Sequence, residues 1–478
     1  MSAVTQELGV LARDFPLLIN GQLVPGAARL DVINPATAKV FASCSRADRR
    51  QLETAIAAAK AAFGPWSRKP IEERRKVLLA VADAMEARVD EFTRLLTQEQ
   101  GKPTAEAAGE VGGSVVFIRL LAQMDLPVRT LLETPQQRIV QRRAPLGVVA
   151  TIMPWNFPLL LLILKAVPAL LAGNTVVAKP APTTPLTALL FGEVAADLLP
   201  PGTLNIIVDQ NDLGEALTSH PDVAKVAFTG STATGRKVMA SGASTLKRVT
   251  LELGGNDAAI VLDDADVASV AQNLYLGAMG NAGQVCVAVK RVYVPTQMYQ
   301  PMCEALAELA RKTVVGDGLD PATQMGPMQN QAQYARVLAL LDDTRSNGKI
   351  IAGGHKLDRE GYFIAPTIVR DIGDSTRLVR EEQFGPVLPI LQYSSIDDAV
   401  ARANDTEYGL SGSVWGRDLD RAYEIAQRMV TGTVTINRHP ELNPNVPLGG
   451  CKQSGIGVEL GQEGLEAYTQ SRVINMSL

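Results

Sequence analysis

Cysteine and histidine are scarce in this chain of 478 residues. It holds four cysteines and three histidines, at widely separated positions and without a Cys-x-x-Cys pair. This spacing indicates neither a disulfide framework nor a histidine metal site, and we expect reduced thiols and no metal. The cysteines are Cys44, Cys286, Cys303 and Cys451, and the histidines are His220, His355 and His439.

The sequence also lacks an excess of either charge and a long apolar run. Its 46 basic and 50 acidic residues are interspersed and give a net charge of −4. No basic stripe favours nucleic acid or an anionic membrane surface. The apolar stretch 159–171 is interrupted by Lys165 and Pro168, and the first residues do not resemble a signal peptide. We therefore expect a cytoplasmic protein without a nucleic-acid or membrane partner.

Strand and helix patterns alternate along the chain, whose composition of 46% hydrophobic and 20% charged residues is typical of about two to four globular domains. Helical spacing between Leu52 and Gly101 predicts amphipathic helices that precede the first long strands. From residue 147 onward, apolar runs separated by helix-length segments predict βαβ units and a doubly wound parallel sheet. The predicted strands are 147–152, 175–178, 204–208, 226–228 and 249–253.

A second α/β alternation begins near Asp257. Strand patterns at 258–262 and 291–294 alternate with helical patterns at 267–279 and 301–313. No linker rich in Gly, Pro or Ser separates the two halves, so we place their boundary at 253–255 on pattern alone. The segment 473–476 predicts a short strand that pairs outside these sheets.

The stretch "GNAGQVCVAVKR", residues 280–291, places Cys286 in a turn of small residues before a buried strand. Most single cysteines fill a core, and residue type alone favours that interpretation. Gly283, which permits close backbone approach, and the polar Gln284 favour a functional site at an element junction instead.

Three further segments carry candidate chemistry. "FTGSTATG" ends a strand and starts a helix, with Gly230, Ser231 and Gly235 suited to a phosphate-binding turn, although a glycine pair is more often a plain turn. In "LELGGND", Glu252 ends a buried strand. It is either a salt-bridged residue at the strand end or a desolvated carboxylate that acts as a base. Asn156 in "TIMPWNFPLL" is either a turn cap or an amide donor to an oxyanion.

Together, "MPWNFP", "FTGSTATG", "LELGGND", "GNAGQVC", "EEQFGPV" and "PLGGCKQSGIG" resemble the ordered motifs of the aldehyde dehydrogenase superfamily, from Met153 to Gly457. The segments "INGQ", "NPAT" and "GKP" extend this resemblance over nearly the whole chain. It implies an α/β fold with a Rossmann-like dinucleotide-binding domain (1–124 and 146–253), an α/β catalytic domain (254–447) and a small β oligomerisation portion (125–145 and 470–478). It also implies a homo-oligomer, either a dimer or a tetramer.

The resemblance assigns a catalytic role to four residues. Cys286 corresponds to the nucleophile, Asn156 to the oxyanion donor, Glu252 to the general base and Lys165 to a supporting lysine. A carboxylate at position 252 implies hydrolysis of the thioester to a free acid, because relatives that transfer the acyl group to coenzyme A generally lack it.

The implied cofactor is NAD or NADP. Lys179 and Glu382 correspond to residues that bind the ribose hydroxyls, Ser231 to one that binds the pyrophosphate, and Trp155 and Phe384 to residues near the dinucleotide. Relatives that prefer NAD commonly carry a glutamate where this chain has Pro182, so the preference stays open. The complete set of implied cofactor residues is Trp155, Lys179, Pro182, Gly230, Ser231, Gly235, Leu253, Glu382 and Phe384.

The implied aldehyde tunnel is apolar, which favours a medium aliphatic or aromatic aldehyde. Leu164 stands where succinic semialdehyde relatives carry an arginine. A polar-tailed semialdehyde stays an alternative, because the entrance segment "NRHPELNPN" contains Arg438, His439 and Asn443. A thiol esterase side activity is a second alternative, whereas a non-catalytic protein would be expected to lose the thiol, amide or carboxylate. The implied tunnel residues are Phe157, Leu161, Leu164, Val285, Val287 and Leu448.

Overall fold

The computed structural model describes residues 13–439 and 442–478. Residues 1–12 of the predicted first domain and residues 440 and 441 of the entrance segment lie outside the described residues. Within the described part of the chain, no helix is long and apolar enough to cross a membrane.

Among the described residues, four strands precede the first helices, so the prediction that helices come before the first long strands is wrong. The third and fourth strands form an antiparallel hairpin from Ala28 opposite Arg46 to Asn34 opposite Lys39. They bury only some of their residues, such as Val32 and Cys44, and therefore lack the continuous apolar run of a central strand. The elements of this region are β1 (Leu17–Ile19), β2 (Gln22–Val24), β3 (Ala28–Asn34), β4 (Lys39–Arg46), α1 (Arg49–Arg68), α2 (Ile71–Glu86), α3 (Val89–Gln100) and α4 (Thr104–Ala122).

A β-hairpin and a doubly wound unit follow. Five parallel strands lie in the order β11-β10-β7-β8-β9, which β1 and β2 extend at one edge. Their side chains are buried on both faces between helices, as parallel strands require. The elements are β5 (Arg129–Thr134), β6 (Gln137–Pro145), β7 (Val148–Ile152), α5 (Pro158–Leu171), β8 (Thr175–Lys179), α6 (Leu186–Ala196), β9 (Leu204–Ile206), α7 (Gly214–Ser219), β10 (Val223–Thr229), α8 (Thr232–Gly242) and β11 (Arg248–Glu252).

The chain enters a second sheet immediately after β11. Its seven strands have the order β14-β15-β16-β13-β12-β17-β18 and are parallel except for β14. The elements are β12 (Asp257–Val261), α9 (Val267–Met279), β13 (Val289–Pro295), α10 (Thr296–Lys312), α11 (Gln331–Asn347), β14 (Lys349–Ala352), β15 (Thr367–Arg370), α12 (Arg377–Arg380), β16 (Val387–Tyr393), α13 (Ile396–Asn404), β17 (Ser411–Trp415), α14 (Leu419–Ala426) and β18 (Thr433–Ile436).

The last residues return to the first half of the molecule. Strand β19 (Gly455–Ile456) pairs antiparallel with β11, and α15 (Gly461–Glu466) then leads to β20 (Thr469–Ser477). Strand β20 pairs along its whole length with β6, in a separate sheet of order β20-β6-β5. The chain end therefore contributes to two sheets formed mainly by earlier residues.

Candidate active site

The strand order of the first sheet reverses between β7 and β10. Strand β7 continues through α5 to β8 on one side, whereas β10 lies on its other side. In open parallel sheets, ligands bind beyond the carboxyl ends of the strands at this kind of switch point. The segment 153–156 follows β7 and Gly230-Ser231 follows β10, so both predicted motifs lie at this point.

A cavity of about 1090 Å³ opens at the switch point. It extends from the start of α8 to Cys286 in the second half of the chain and is at the upper end of the size range of ligand pockets. The structure brings ten predicted site residues to its wall: Trp155, Asn156, Lys179, Pro182, Gly230, Ser231, Leu253, Cys286, Glu382 and Phe384.

The start of α8 is built to present backbone N–H groups to this cavity. Ser231 caps the helix, its Oγ accepting from the Thr234 N–H at 3.3 Å. A Cβ at Gly230 would lie 2.5 Å from the Phe228 ring, and one at Gly235 2.5 Å from the Leu253 side chain, so a larger residue at either position would displace its neighbour. The N-terminus of a helix favours a phosphate group.

Cations and aromatic rings complete a wall that fits an elongated, phosphate-bearing ligand. Lys179, Lys237 and Arg336 all line the cavity. The rings of Trp155 and Phe384 line it as well and meet edge to face, with centroids 5.4 Å apart. A dinucleotide has the size, charge and planar rings that such a wall accommodates.

Lys179 is not a free cation in this wall. Its Nζ lies 2.6 Å from Oδ1 of Asp209, which is fully buried just after β9. The other carboxylate oxygen, Oδ2, accepts from the Leu213 N–H at 2.9 Å. Although Pro182 supplies no carboxylate, Asp209 therefore places one directly against the lysine.

A strained turn presents Cys286. Asn281 and Ala282 have φ values of 50° and 54°, in the left-handed region that non-glycine residues rarely adopt, and Gly283 follows at 71°. Gly283 packs against the backbone of Gly385, where a side chain would collide. The turn is thereby fixed against the segment that carries Phe384.

The Cys286 thiol is half-buried and lines the cavity. Burial raises the pKa of the Cys286 thiol to about 12; Lys290 opposes the shift, while Glu382, Asp257 and Glu252 add to it. The thiol therefore stays neutral near pH 7 until its surroundings change.

Asn156 is held beside the cysteine turn. Its side-chain Nδ2 donates to the Gln284 carbonyl at 2.9 Å, and its backbone carbonyl accepts from Lys102 and from Asn281, each at 3.0 Å. An amide nitrogen carries two hydrogens, so a second one is available on a side chain that lines the same cavity as the thiol.

Glu252 lies behind this wall, at the last position of β11. It is 6% exposed, and its Oε1 has no hydrogen-bond partner among the residues that the structure describes. Burial raises the pKa of Glu252 well above its usual value; the nearby Glu459 raises it further and Lys165 lowers it. Lys165 itself is fully buried and forms an ion pair with Glu459, which is also buried.

The predicted tunnel residues do not line this cavity. Leu164 and Val287 are buried, whereas Phe157, Leu161, Val285 and Leu448 are half-buried. The Phe157 ring lies under the Lys102 ammonium, 3.8 Å from the ring centroid. Glu252, Lys165 and Gly235 are likewise absent from the cavity wall.

Sequence reasoning missed three charged residues of this region: Asp209, Lys290 and Glu459. Asp209 and Glu459 contact residues that are distant in sequence, so no local pattern marks them. Lys290 did have a local signal, because it lies four residues after Cys286 within the same motif.

The "Aldehyde dehydrogenase family" profile matches residues 24–474. A mitochondrial aldehyde dehydrogenase of Leishmania tarentolae is 38% identical over 470 residues, which cover 96% of this chain and 94% of that protein. The NAD+ complex of an aldehyde dehydrogenase from Bacillus cereus has a TM-score of 0.96 at 34% identity, covering 100% of this chain and 99% of the other. An NADP-dependent enzyme of E. coli has a TM-score of 0.95 at 36% identity, covering 97% and 98%.

Proposed function

This chain belongs to the aldehyde dehydrogenase family, whose reaction is the NAD(P)-dependent oxidation of aldehydes, and we propose that it converts an apolar aldehyde of medium size to the free carboxylic acid through a thioester on Cys286. One observation carries the proposal: the Cys286 thiol and the Asn156 amide share the wall of one cavity.

The first step forms a bond between Cys286 Sγ and the aldehyde carbon. The thiol gives its proton to solvent, the sulfur electron pair forms the new bond, and the carbonyl π electron pair moves onto oxygen. The second amide hydrogen of Asn156 and the Cys286 N–H are the donors for this oxyanion; losing one such donor typically costs about 10²–10³ in rate.

A bound dinucleotide supplies the acceptor for the hydrogen that leaves the aldehyde carbon with its electron pair. Lys179, Ser231 and Glu382 would hold it, and Trp155 and Phe384 line the same wall. Both NAD and NADP fit this donor set, since Pro182 adds no carboxylate and Asp209 offsets the charge of Lys179.

Hydrolysis of the thioester requires a base. Glu252 takes a proton from water, directly or through further waters, as the water oxygen attacks the acyl carbon and Cys286 leaves as the thiolate. A carboxylate whose pKa is raised by burial accepts a proton more readily than an ordinary carboxylate, which suits this role.

The positions predicted to form the tunnel, 157, 161, 164, 285, 287 and 448, all carry apolar side chains, which favours an aliphatic or aromatic substrate. A polar-tailed semialdehyde is the second candidate, because His439 lies against Gly277, close to the cysteine turn. Hydrolysis of activated esters by the same thiol is a side activity that requires no dinucleotide.

The sheet β20-β6-β5 supports self-association as a dimer or tetramer. It leaves apolar side chains of both β5 and β20 exposed, among them Leu131, Leu132, Val473 and Ile474. Exposed apolar strands of this kind are usually covered by another copy.

The test is the near-ultraviolet absorbance of reduced nicotinamide, followed with NAD and with NADP against straight-chain, aromatic and semialdehyde substrates. A steady rise that is fastest with apolar aldehydes supports the proposal. A preference for a semialdehyde would show that the substrate has a polar tail and is not an apolar aldehyde. A dependence on coenzyme A would overturn the hydrolytic step.

A further inference from the structure

Lys290 is a buried cation that the proposed chemistry leaves unused. It lies in β13, is 2% exposed, and its Nζ donates to the carbonyl of Val285 at 2.9 Å and to that of Cys286 at 2.6 Å. A lysine is rarely buried completely unless it is paired, so this position needs a reason.

The partner of Lys290 is a carboxylate of the cavity wall. Its Nζ lies 3.6 Å from Oε1 of Glu382, and the same oxygen accepts from the Gly255 N–H at 2.9 Å. A side chain at Gly254 would collide with Glu382, and one at Gly255 would lie 2.7 Å from the Cys286 carbonyl. Because Gly254 and Gly255 carry no side chains, the Glu382 carboxylate, the Lys290 ammonium and the Cys286 carbonyl can lie close together.

Charged groups surround the thiol from several elements. Lys290 is the largest opposing influence on its raised pKa, while Glu382, Asp257 from β12 and Glu252 from β11 act in the other direction. The Ser411 hydroxyl donates a hydrogen bond to the Asp257 carboxylate. Burial together with Lys290 lowers the pKa of His439 to about 4, so this histidine is neutral and adds no charge. The nearby carboxylates and the Cys286 thiolate would therefore compete for electrostatic stabilisation by the same cation, Lys290.

We propose that Lys290 is a positioning residue that fixes the backbone of the Cys286 turn and makes the reactivity of the thiol depend on the carboxylate of Glu382. The inference rests on the proposed function, in which Cys286 is the nucleophile and Glu382 contacts a cavity ligand. When a ligand hydroxyl hydrogen-bonds to the carboxylate of Glu382, that carboxylate interacts less strongly with the Lys290 ammonium. The ammonium then stabilises the Cys286 thiolate more strongly. Occupation of the cavity thereby activates the nucleophile.

The experiment measures alkylation of Cys286 by iodoacetamide between pH 6 and 10 in the protein without dinucleotide, with the modified peptide counted by mass spectrometry. Below the thiol pKa, the rate follows the thiolate fraction, about tenfold for each pH unit. Lys290→Met keeps an unbranched, largely apolar side chain without charge. It should slow alkylation at a fixed pH by at least about tenfold, whereas Lys290→Arg should stay within a few-fold of the wild type.

Glu382→Gln tests the second half of the inference. Removing this carboxylate should accelerate alkylation several-fold, and the gain should shrink in the double variant with Lys290→Met. Lys225→Met is the matched control, because Lys225 is also buried but contacts Thr250 and the ring of Tyr468 instead of the cysteine turn. It should leave the alkylation profile unchanged.

A wild-type profile in folded Lys290→Met would overturn the inference. Should that variant not fold, an unchanged alkylation rate in Glu382→Gln would overturn it as well. The readout needs no aldehyde oxidation. If the wild-type protein oxidised none of the aldehydes while the alkylation shifts appeared as expected, the proposed function would fail and the role of Lys290 would stand.

Discussion

The carboxylate of Asp209 and the ammonium of Lys179 form a buried ion pair at the cavity wall, 2.6 Å apart and 30 residues apart in sequence. Oδ1 faces a lysine that lines the cavity, while Oδ2 is held by the backbone. The Lys179–Asp209 pair therefore presents a net charge close to zero to a ligand at this point of the wall.

Neutralising this carboxylate should change the choice between cofactors. In Asp209→Asn, the Lys179 ammonium is no longer offset, so an additional phosphate is favoured there. We expect the ratio of kcat/KM for NADP to that for NAD to rise at least about tenfold, which corresponds to about 1.4 kcal/mol. Pro182→Glu, which adds a carboxylate, should move the ratio in the opposite direction. If the wild type, Asp209→Asn and Pro182→Glu all gave the same ratio of kcat/KM, the ribose that carries the additional phosphate would lie away from Lys179 and Pro182.

Replacing Cys286 by serine should abolish both aldehyde oxidation and ester hydrolysis, because a serine hydroxyl is a far weaker nucleophile than a cysteine thiolate. Cys451→Ser is the matched control, since Cys451 is half-buried like Cys286 but lies outside the cavity wall. Oxidation that survives Cys286→Ser would remove the thioester from the proposal.

Glu252→Gln should separate the two halves of the reaction. Formation of the thioester does not need this base, whereas its hydrolysis does, so we expect a burst of about one reduced dinucleotide per site. The steady rate should then fall about 10²–10⁴-fold. Rapid-mixing absorbance measures both phases. Undiminished steady turnover would exclude Glu252 as the base.

The ion pair of Lys165 and Glu459 should control the pH at which Glu252 becomes an active base. Glu252 accepts a proton only when ionised, so turnover rises as pH passes through its raised pKa. Lys165→Met removes the charge that lowers this pKa and should move the acidic limb to higher pH. Glu459→Gln removes the charge that raises it and should move the limb to lower pH.

Opposite shifts are the decisive result, because a merely structural pair would reduce activity in both variants without displacing the profile. Removing one partner of a buried ion pair is costly, about 3–5 kcal/mol, so each variant needs a thermal unfolding measurement. Glu459→Gln keeps the side-chain shape and is the milder of the two changes.

Local sequence patterns predicted most of what lies at the switch point. The β–turn–helix pattern around Ser231 and the turn at Gly283 depend on residues that are adjacent in sequence, and the structure brings both segments to one cavity. The family itself was likewise evident from ordered motifs and is shown by the profile match.

What could not be predicted depends on distant contacts. Glu459 lies 294 residues from Lys165, and its effect on Glu252 exists only after the chain end has packed against the first sheet. The hairpin of β3 and β4 was missed for a different reason, because its strands are only partly buried and carry polar side chains on the other face. The apolar runs used to identify strands occur only where both faces are covered.

The pairing of β19 with β11 constrains how the protein is made. Gly455 lies opposite Glu252, and the Leu253 N–H donates to the Ser454 carbonyl, so the strand that holds the proposed base has an open edge until residues 454 and 455 have left the ribosome. A nascent chain that stops before residue 455 should be cut by protease near residue 253, where the finished protein resists. Because an unpaired strand edge invites aggregation, β11 is exposed to pairing with other chains until β19 covers it.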